Sequence, residues 1–226
     1  MKTLFGVVFD MDGVLVHSNP AHKKAIKIFC DKHDRHVSEE FLLNKLYGRT
    51  NKEWIPEVFG ELNDERLKEL ADEKESLFRK LFDPKTGKVN GIIDFLNHLK
   101  EQEIKMVVAT SAPPKNADYI LSELQIEDLF DAVLTSRDVT KGKPHPEVYQ
   151  KAAASINFDP KNCIVFEDSV AGTQAGINAG SKTVGVATTH TPAELDQCDL
   201  VIEDFSNLTV KQLIELFPEK ELDPEA

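Results

Sequence analysis

Six short apolar runs recur along the chain, each closed by polar residues and most followed by a helical pattern, and no other feature constrains the fold as strongly. They are Leu4–Phe9, Ile104–Ala109, Ala132–Leu134, Cys163–Phe166, Thr183–Val186 and Leu200–Ile202. Runs that are apolar nearly throughout, instead of alternating with polar residues, predict strands covered on both faces. Helical periodicity is expected over residues 91–102, 114–125, 146–157, 170–180 and 207–216. This β-α order predicts a doubly wound α/β core around a parallel sheet. In such sheets ligands sit at the carboxyl ends of the strands, so the residues that close each run are the ones to inspect.

One stretch breaks the alternation. Between residues 18 and 82 only helical patterns occur, inserted directly after the first run. Asn63 is placed to cap a helix whose Leu67, Leu70, Leu77 and Leu81 form an apolar stripe, and Asp83–Gly87 has the composition of a return linker. The expected organisation is a core of residues 1–15 and 87–226 with an all-helical cap, residues 16–86, above the strand ends.

Composition removes several function classes. With 41% hydrophobic and 29% charged residues in 226, the chain has enough apolar material for a packed core, which excludes disordered and collagen-like readings. The 27 basic and 39 acidic side chains leave a net charge of −12, which argues against nucleic acid or an anionic membrane as partner. No apolar run reaches the ~18–20 residues of a membrane-spanning helix. The first run ends on the acid Asp10, unlike a cleavable signal. Cys30, Cys163 and Cys198 are odd in number and far apart, as suits reduced thiols in the cytoplasm.

The strand ends carry the chemistry. The first run ends Phe9-Asp10-Met11-Asp12-Gly13, placing two carboxylates on one side of an extended backbone before a glycine that permits a sharp departure. The second ends in Thr110 and Ser111, followed by two prolines suited to a helix start, a natural anion-binding arrangement. After the third comes Lys143-Pro144, where proline biases the lysine backbone toward an extended conformation. The fourth ends in Glu167-Asp168, a second acidic pair. Each feature alone is compatible with a helix cap or a solvated loop. Together, in chain order, they describe a site for a phosphate and a divalent cation, with hard oxygen ligands that suit Mg²⁺.

These residues resemble those of the haloacid-dehalogenase-like phosphatases and phosphotransferases, in the subgroup that contains β-phosphoglucomutase and small sugar phosphatases. The resemblance covers essentially the whole chain and rests on Asp10-Met11-Asp12-Gly13-Val14, Thr110, Lys143-Pro144 and Glu167-Asp168. It implies a Rossmann-like core, Asp10 as a nucleophile forming an aspartyl-phosphate, and Asp12 as general acid and base. It further implies that Thr110 and Lys143 stabilise the transferring oxygens. Mg²⁺ would be held by Asp10, the Asp12 carbonyl and Asp168, with Glu167 as a further ligand or a supporting group. The second aspartate, Asp12, argues for phosphoryl transfer over carbon–halogen cleavage.

In the cap, Lys74 lies on the leucine stripe, and His22 precedes Ala25, Ile26 and Phe29 at helical offsets. A lysine there snorkels to a rim or contacts a ligand, and a lone histidine on an apolar face is more often a core residue. By the resemblance, His22 matches a proton-relay position and Lys74 a substrate-interface lysine; Arg49, Asn51 and Ser111 complete the candidate substrate-binding residues, although Arg49, two positions before Asn51, would point elsewhere on a helix or tight turn. Asn51 stands where the mutase carries the arginine that binds a distal phosphate, and an amide cannot reproduce an arginine fork. The expected function is therefore a Mg²⁺-dependent phosphatase, monomeric and cytoplasmic, acting on a small phosphorylated metabolite such as a sugar phosphate. β-Phosphoglucomutase is the alternative, followed by inorganic pyrophosphatase and by a non-catalytic binding protein on the same fold.

Overall fold

Residue burial along each strand explains the sheet that forms. In the computed structural model, which describes residues 5–42 and 50–217, strands β1 (Gly6–Phe9), β2 (Met106–Ala109) and β4 (Cys163–Glu167) are buried at every position. Strands β3 (Ala132–Leu134) and β6 (Leu200–Ile202) lie at the two edges and are only partly covered, while β5 (Lys182–Val186) is buried except at its first residue. All six pair in parallel, in the order β3-β2-β1-β4-β5-β6. That is the doubly wound order whose strand sequence reverses between β1 and β4, where the ends of the first and fourth runs become neighbours.

The chain divides into two compact units, Met1–His17 with Lys88–Ala226, and Ser18–Gly87. In the sheet unit, Val8, Val107 and Val165 face one side and pack with Tyr149, Ala152 and Ala153 of helix α8 (Glu147–Ser155). On the other side Phe9 stacks on its register partner Phe166 at 4.9 Å, with Phe95 and Phe205 closing around them. The alternation of the strand sends successive side chains into two different cores, so neither face is left for solvent.

In the helical unit, α1 (Asn19–Lys32), α3 (Asn51–Phe59) and α4 (Asp64–Leu81) enclose Ile26, Phe29, Cys30, Leu42, Trp54, Ile55 and Leu70. The short helix α2 (Glu39–Phe41) is capped by Ser38. Asn63 does cap α4, its side-chain oxygen accepting from the Arg66 amide at 2.8 Å.

Boundaries differ from the sequence expectation where local backbone geometry intervenes. The second run enters the sheet at Met106 and not at Ile104, because Glu103 takes a left-handed turn (φ 56°) and the Ile104 amide still bonds the Leu99 carbonyl of the preceding helix α6 (Ile92–Glu101). Asp83–Gly87, expected as a plain linker, contains a helical turn, α5 (Pro84–Gly87), closed by the Gly87 amide on the Asp83 carbonyl. Helices α7 (Pro114–Leu124), α9 (Val170–Ala179) and α10 (Val210–Ile214) complete the described α-helices, the last beginning later than its periodicity suggests because Thr209 caps it. Among the described residues no helix is long and apolar enough to cross a membrane.

Candidate functional site

Asp10 follows β1 directly, and its amide donates to the Phe166 carbonyl of β4, which ties the two strand ends together. Its side chain is buried, and Oδ1 accepts from Lys143 Nζ at 2.5 Å. The same ammonium donates to Glu167 Oε1 at 2.6 Å and lies 3.4 Å from the Ala109 carbonyl at the end of β2. One lysine thus gathers the ends of three strands. The Lys143–Pro144 peptide bond is cis.

Glu167 is saturated by protein donors. Oε1 accepts from Lys143 and from the Tyr149 hydroxyl at 2.7 Å, and Oε2 accepts from the Asp168 amide, the Ser169 amide and Ser169 Oγ at 3.0–3.1 Å. Asp168 is also buried, and carboxylate oxygens of Asp10, Glu167 and Asp168 fall within 4.8 Å of one another. Asp12, two residues beyond Asp10, is half-buried.

The electrostatics are unbalanced toward negative charge. Three buried carboxylates face one ammonium, an arrangement costly to hold in a low-dielectric interior. Burial pushes the Asp10 carboxyl well above its ordinary range, with Glu167, Asp168 and Asp12 adding to the rise against the opposing pull of Lys143. Burial and the adjacent Glu167 push Asp168 up to about 7. Glu167 goes the other way: burial opposes its ionisation, but Lys143 and the hydroxyl and amide donors outweigh it and hold it below the usual range. Lys143 is likewise disfavoured by burial yet held charged by Asp10 and Glu167. Tyr149 is kept protonated by burial and by Glu167, so it donates. A buried, oxygen-only cluster with surplus negative charge is the donor set a hard divalent cation requires.

A family model of haloacid dehalogenase-like hydrolases matches residues 7–186. The chain belongs to that family. The span contains every carboxylate of the cluster as well as Lys143. Validoxylamine A 7′-phosphate phosphatase of Streptomyces hygroscopicus subsp. limoneus is 30% identical to this hydrolase over 201 residues, 89% of this chain and 94% of the relative. The β-phosphoglucomutase of Bacillus subtilis is 30% identical over 217 residues, 92% and 93% of the two chains. Among solved structures, a HAD hydrolase, family IA, variant 3, from Entamoeba histolytica superimposes with a TM-score of 0.86 at 31% identity, covering 95% of this chain and 99% of that one.

Two glycines of the hydrolase are set by the cluster. Gly13 has φ +83°, and a Cβ there would lie 1.8 Å from Asp168 Oδ2, so the loop after β1 both turns and admits the neighbouring carboxylate. Gly172, in the first turn of α9, would place a Cβ 1.9 Å from the Glu167 carboxyl. Because five donors fix that carboxyl, it cannot yield. Gly172→Ala is expected to lower stability by about 1–3 kcal/mol through overpacking, read from urea unfolding. An unchanged midpoint would show that the Glu167 network is softer than its hydrogen bonds indicate.

The remaining residues singled out in the sequence fall in two places. Thr110, buried after β2, accepts from the Ala112 amide through Oγ1 at 3.0 Å, whereas Ser111 is exposed. His22, Asn51 and Lys74 come together inside the helical unit. Lys74 Nζ lies 2.9 Å from His22 Nδ1 and donates to Glu75 Oε1 at 2.8 Å, and the His22 ring stacks on Phe78 at 3.7 Å. Asn51 donates to the same Glu75 oxygen at 2.7 Å and accepts from Trp54 Nε1 at 3.0 Å. Lys74 and Glu75 are both buried, so the ammonium is paired internally and does not snorkel to a rim. Burial opposes ionisation of Glu75, but Lys74 and His22 outweigh it and lower its carboxyl. Arg49 lies outside the described residues. Sequence reasoning did not single out Tyr149, Glu75 or Thr189; a tyrosine four residues into the segment after Pro144-His145 carries no composition signal.

Proposed function

We propose that this hydrolase is a Mg²⁺-dependent phosphatase that cleaves a small phosphorylated metabolite, a sugar phosphate, through an aspartyl-phosphate on Asp10. The observation that supports it most directly is Asp10 buried at the β1 end with Lys143 at 2.5 Å and Asp168 beside it, a nucleophile, a phosphate-facing cation and a metal ligand in one cluster. Asp10, Asp168 and the Asp12 main-chain carbonyl would hold the ion, and Glu167, engaged by five protein donors, serves as the anchor that orients Lys143. When bound, Mg²⁺ neutralises charge on the phosphate and the carboxylates around it.

The chain's own groups then account for the chemistry. An Asp10 oxygen attacks phosphorus while the bond to the leaving oxygen breaks, and Asp12 donates its proton to that oxygen. The Lys143 ammonium and the Thr110 hydroxyl stabilise charge on the transferring oxygens. In the second half Asp12 takes a proton from water, the new P–O bond forms, and the acyl-phosphate bond to Asp10 breaks to release inorganic phosphate.

Hydrolysis is preferred over mutase chemistry because of Asn51. Both ends of its amide are engaged within the helical unit, by Glu75 and Trp54, and it cannot act as a bidentate phosphate fork. A steady-state screen of phosphorylated sugars, nucleotides and pyrophosphate, including β-glucose 1-phosphate with catalytic β-glucose 1,6-bisphosphate, tests the reading. Phosphate release from a sugar phosphate is the expected result, and glucose 6-phosphate formation without release would establish the mutase instead. Replacing Asp12 by alanine is expected to lower kcat by ~10²–10⁴-fold. The loss should be greater for alkyl phosphates than for p-nitrophenyl phosphate, whose leaving group needs no proton; equal losses would remove Asp12 from the acid role.

A further inference from the structure

Three consecutive residues after β5 reach back to the acidic cluster. The Thr188 hydroxyl donates to the Gly13 carbonyl at 2.5 Å, the Thr189 hydroxyl donates to Asp168 Oδ2, and His190 Nδ1 meets the Asp168 carbonyl at 3.0 Å. Facing a carbonyl acceptor, that nitrogen carries its hydrogen, which sets the tautomer. The segment is itself fixed at both ends. The Ala187 amide donates to the Ile202 carbonyl at 2.8 Å, and Thr191 donates through its amide and hydroxyl to Glu194 Oε2 at 2.8 and 2.7 Å.

From this geometry we infer that Thr188-Thr189-His190 is a strap that positions Asp168 as a cation ligand, with Thr189 as its principal positioning residue. Asp168 is enclosed on two sides: Gly13 leaves no space for a Cβ against Oδ2, and Thr189 bonds the same oxygen. A carboxylate has about four lone-pair sites, so a hydroxyl on Oδ2 fixes the rotamer without removing the group as a ligand. Hydrogen bonds of this kind to metal-ligating side chains generally set ligand orientation and metal affinity. Thr188 acts on the Gly13 carbonyl, one residue beyond Asp12, so one short segment steadies the loops after both β1 and β4. Nothing in the strap touches phosphate chemistry directly; its effect is on how well the cation site is preformed.

The inference rests on Asp168 being a metal ligand, and the experiment separates the two. Mn²⁺ binding to the full chain is measured by titration calorimetry without substrate, for wild type, Asp168→Asn, Thr189→Val, Thr189→Ala and Thr189→Ser. Thr189 is exposed, so valine, which keeps the shape and loses the donor, leaves the core intact. Wild-type binding, loss of binding in Asp168→Asn, ~10-fold or greater weakening in Thr189→Val and Thr189→Ala, and recovery in Thr189→Ser are expected. If the two donor-free variants bind Mn²⁺ as wild type does while Asp168→Asn does not, the strap is overturned and the metal site stands. If Asp168→Asn binds like wild type, the metal assignment itself falls and the strap with it.

Discussion

Asp10→Asn should abolish turnover on every substrate the wild type accepts, with a loss on the order of 10⁵–10⁶ in kcat, the scale seen when an enzyme nucleophile is removed. The argument is chemical. An amide oxygen cannot displace an alkoxide from phosphorus and leave an acyl-phosphate, and nothing else in the cluster is placed to replace it. Lys143 is cationic, Glu167 is held by five donors, and in the proposed mechanism Asp168 is committed to the cation and Asp12 to the proton. The fold should survive, because asparagine keeps the shape of the side chain and still accepts from Lys143 through its carbonyl oxygen. Relieving one of three buried carboxylates also reduces the negative surplus, so the unfolding midpoint of this variant should not fall and can rise. Activity and stability are therefore expected to part company, which is the signature of a functional residue held at a cost to the fold. Phosphate release that persists in Asp10→Asn would reject the nucleophile assignment, and a collapsed midpoint would show that Asp10 is needed structurally. In the wild type, acid quenching during turnover should trap a base-labile acyl-phosphate on the protein.

The parts of this site that the sequence disclosed share one property. Asp10, Asp12, Glu167 and Asp168 are acids at or just past the ends of apolar runs, where a charge is out of keeping with its surroundings, whereas Lys143 after the third run reads by itself as a loop lysine and gains a role only in company with them. The parallel, doubly wound sheet was equally legible, since β1, β2 and β4 are buried throughout in the way their composition implies. What stayed hidden depends on pairings between distant elements. Tyr149 matters only because α8 packs against the sheet with its hydroxyl at Glu167, 18 residues further on. Thr189 matters because β5 lies beside β4, which returns it to Asp168 across 21 residues. Glu75 is hidden for a different reason: neighbours on a helix ordinarily point in different directions, so its place beside Lys74 does not by itself mark the two as partners. Burial brings their side chains together at 2.8 Å and makes an internal ion pair of what looked like an isolated charge on an apolar stripe. Residues 103–104 show the smaller kind of error, where a left-handed turn delays a strand that hydropathy alone would begin earlier.

Lys143→Met is the substitution with the largest expected effect on the fold. Its side chain is 9% exposed and bonds two carboxylates that are 8% and 1% exposed, so methionine fills similar volume but leaves Asp10 and Glu167 buried without their cation. Removing one partner from such a cluster costs about 3–5 kcal/mol. The loss should depend on pH, and the sign follows from Glu167. In the wild type Lys143 holds its carboxyl below the ordinary range, so its contribution is present above the unfolded-state value and fades as pH falls through the folded one. In the variant burial is opposed only by the remaining hydroxyl and amide donors, so the folded value moves up from its wild-type position and the ionised group is held less well than before. The stability difference between the two proteins should therefore be greatest near neutral pH and shrink as pH falls toward about 4, where a carboxyl in an unfolded chain protonates. Urea unfolding of both proteins across that range is the measurement, and a deficit independent of pH would mean that Lys143 contributes through packing alone. Activity at neutral pH should fall by about 10²–10³-fold in the fraction that remains folded, the scale for removing one charge-stabilising group from a transition state. Adding the metal cannot restore it, because in the proposed site the ammonium faces the transferring oxygens from its own position between β1 and β4.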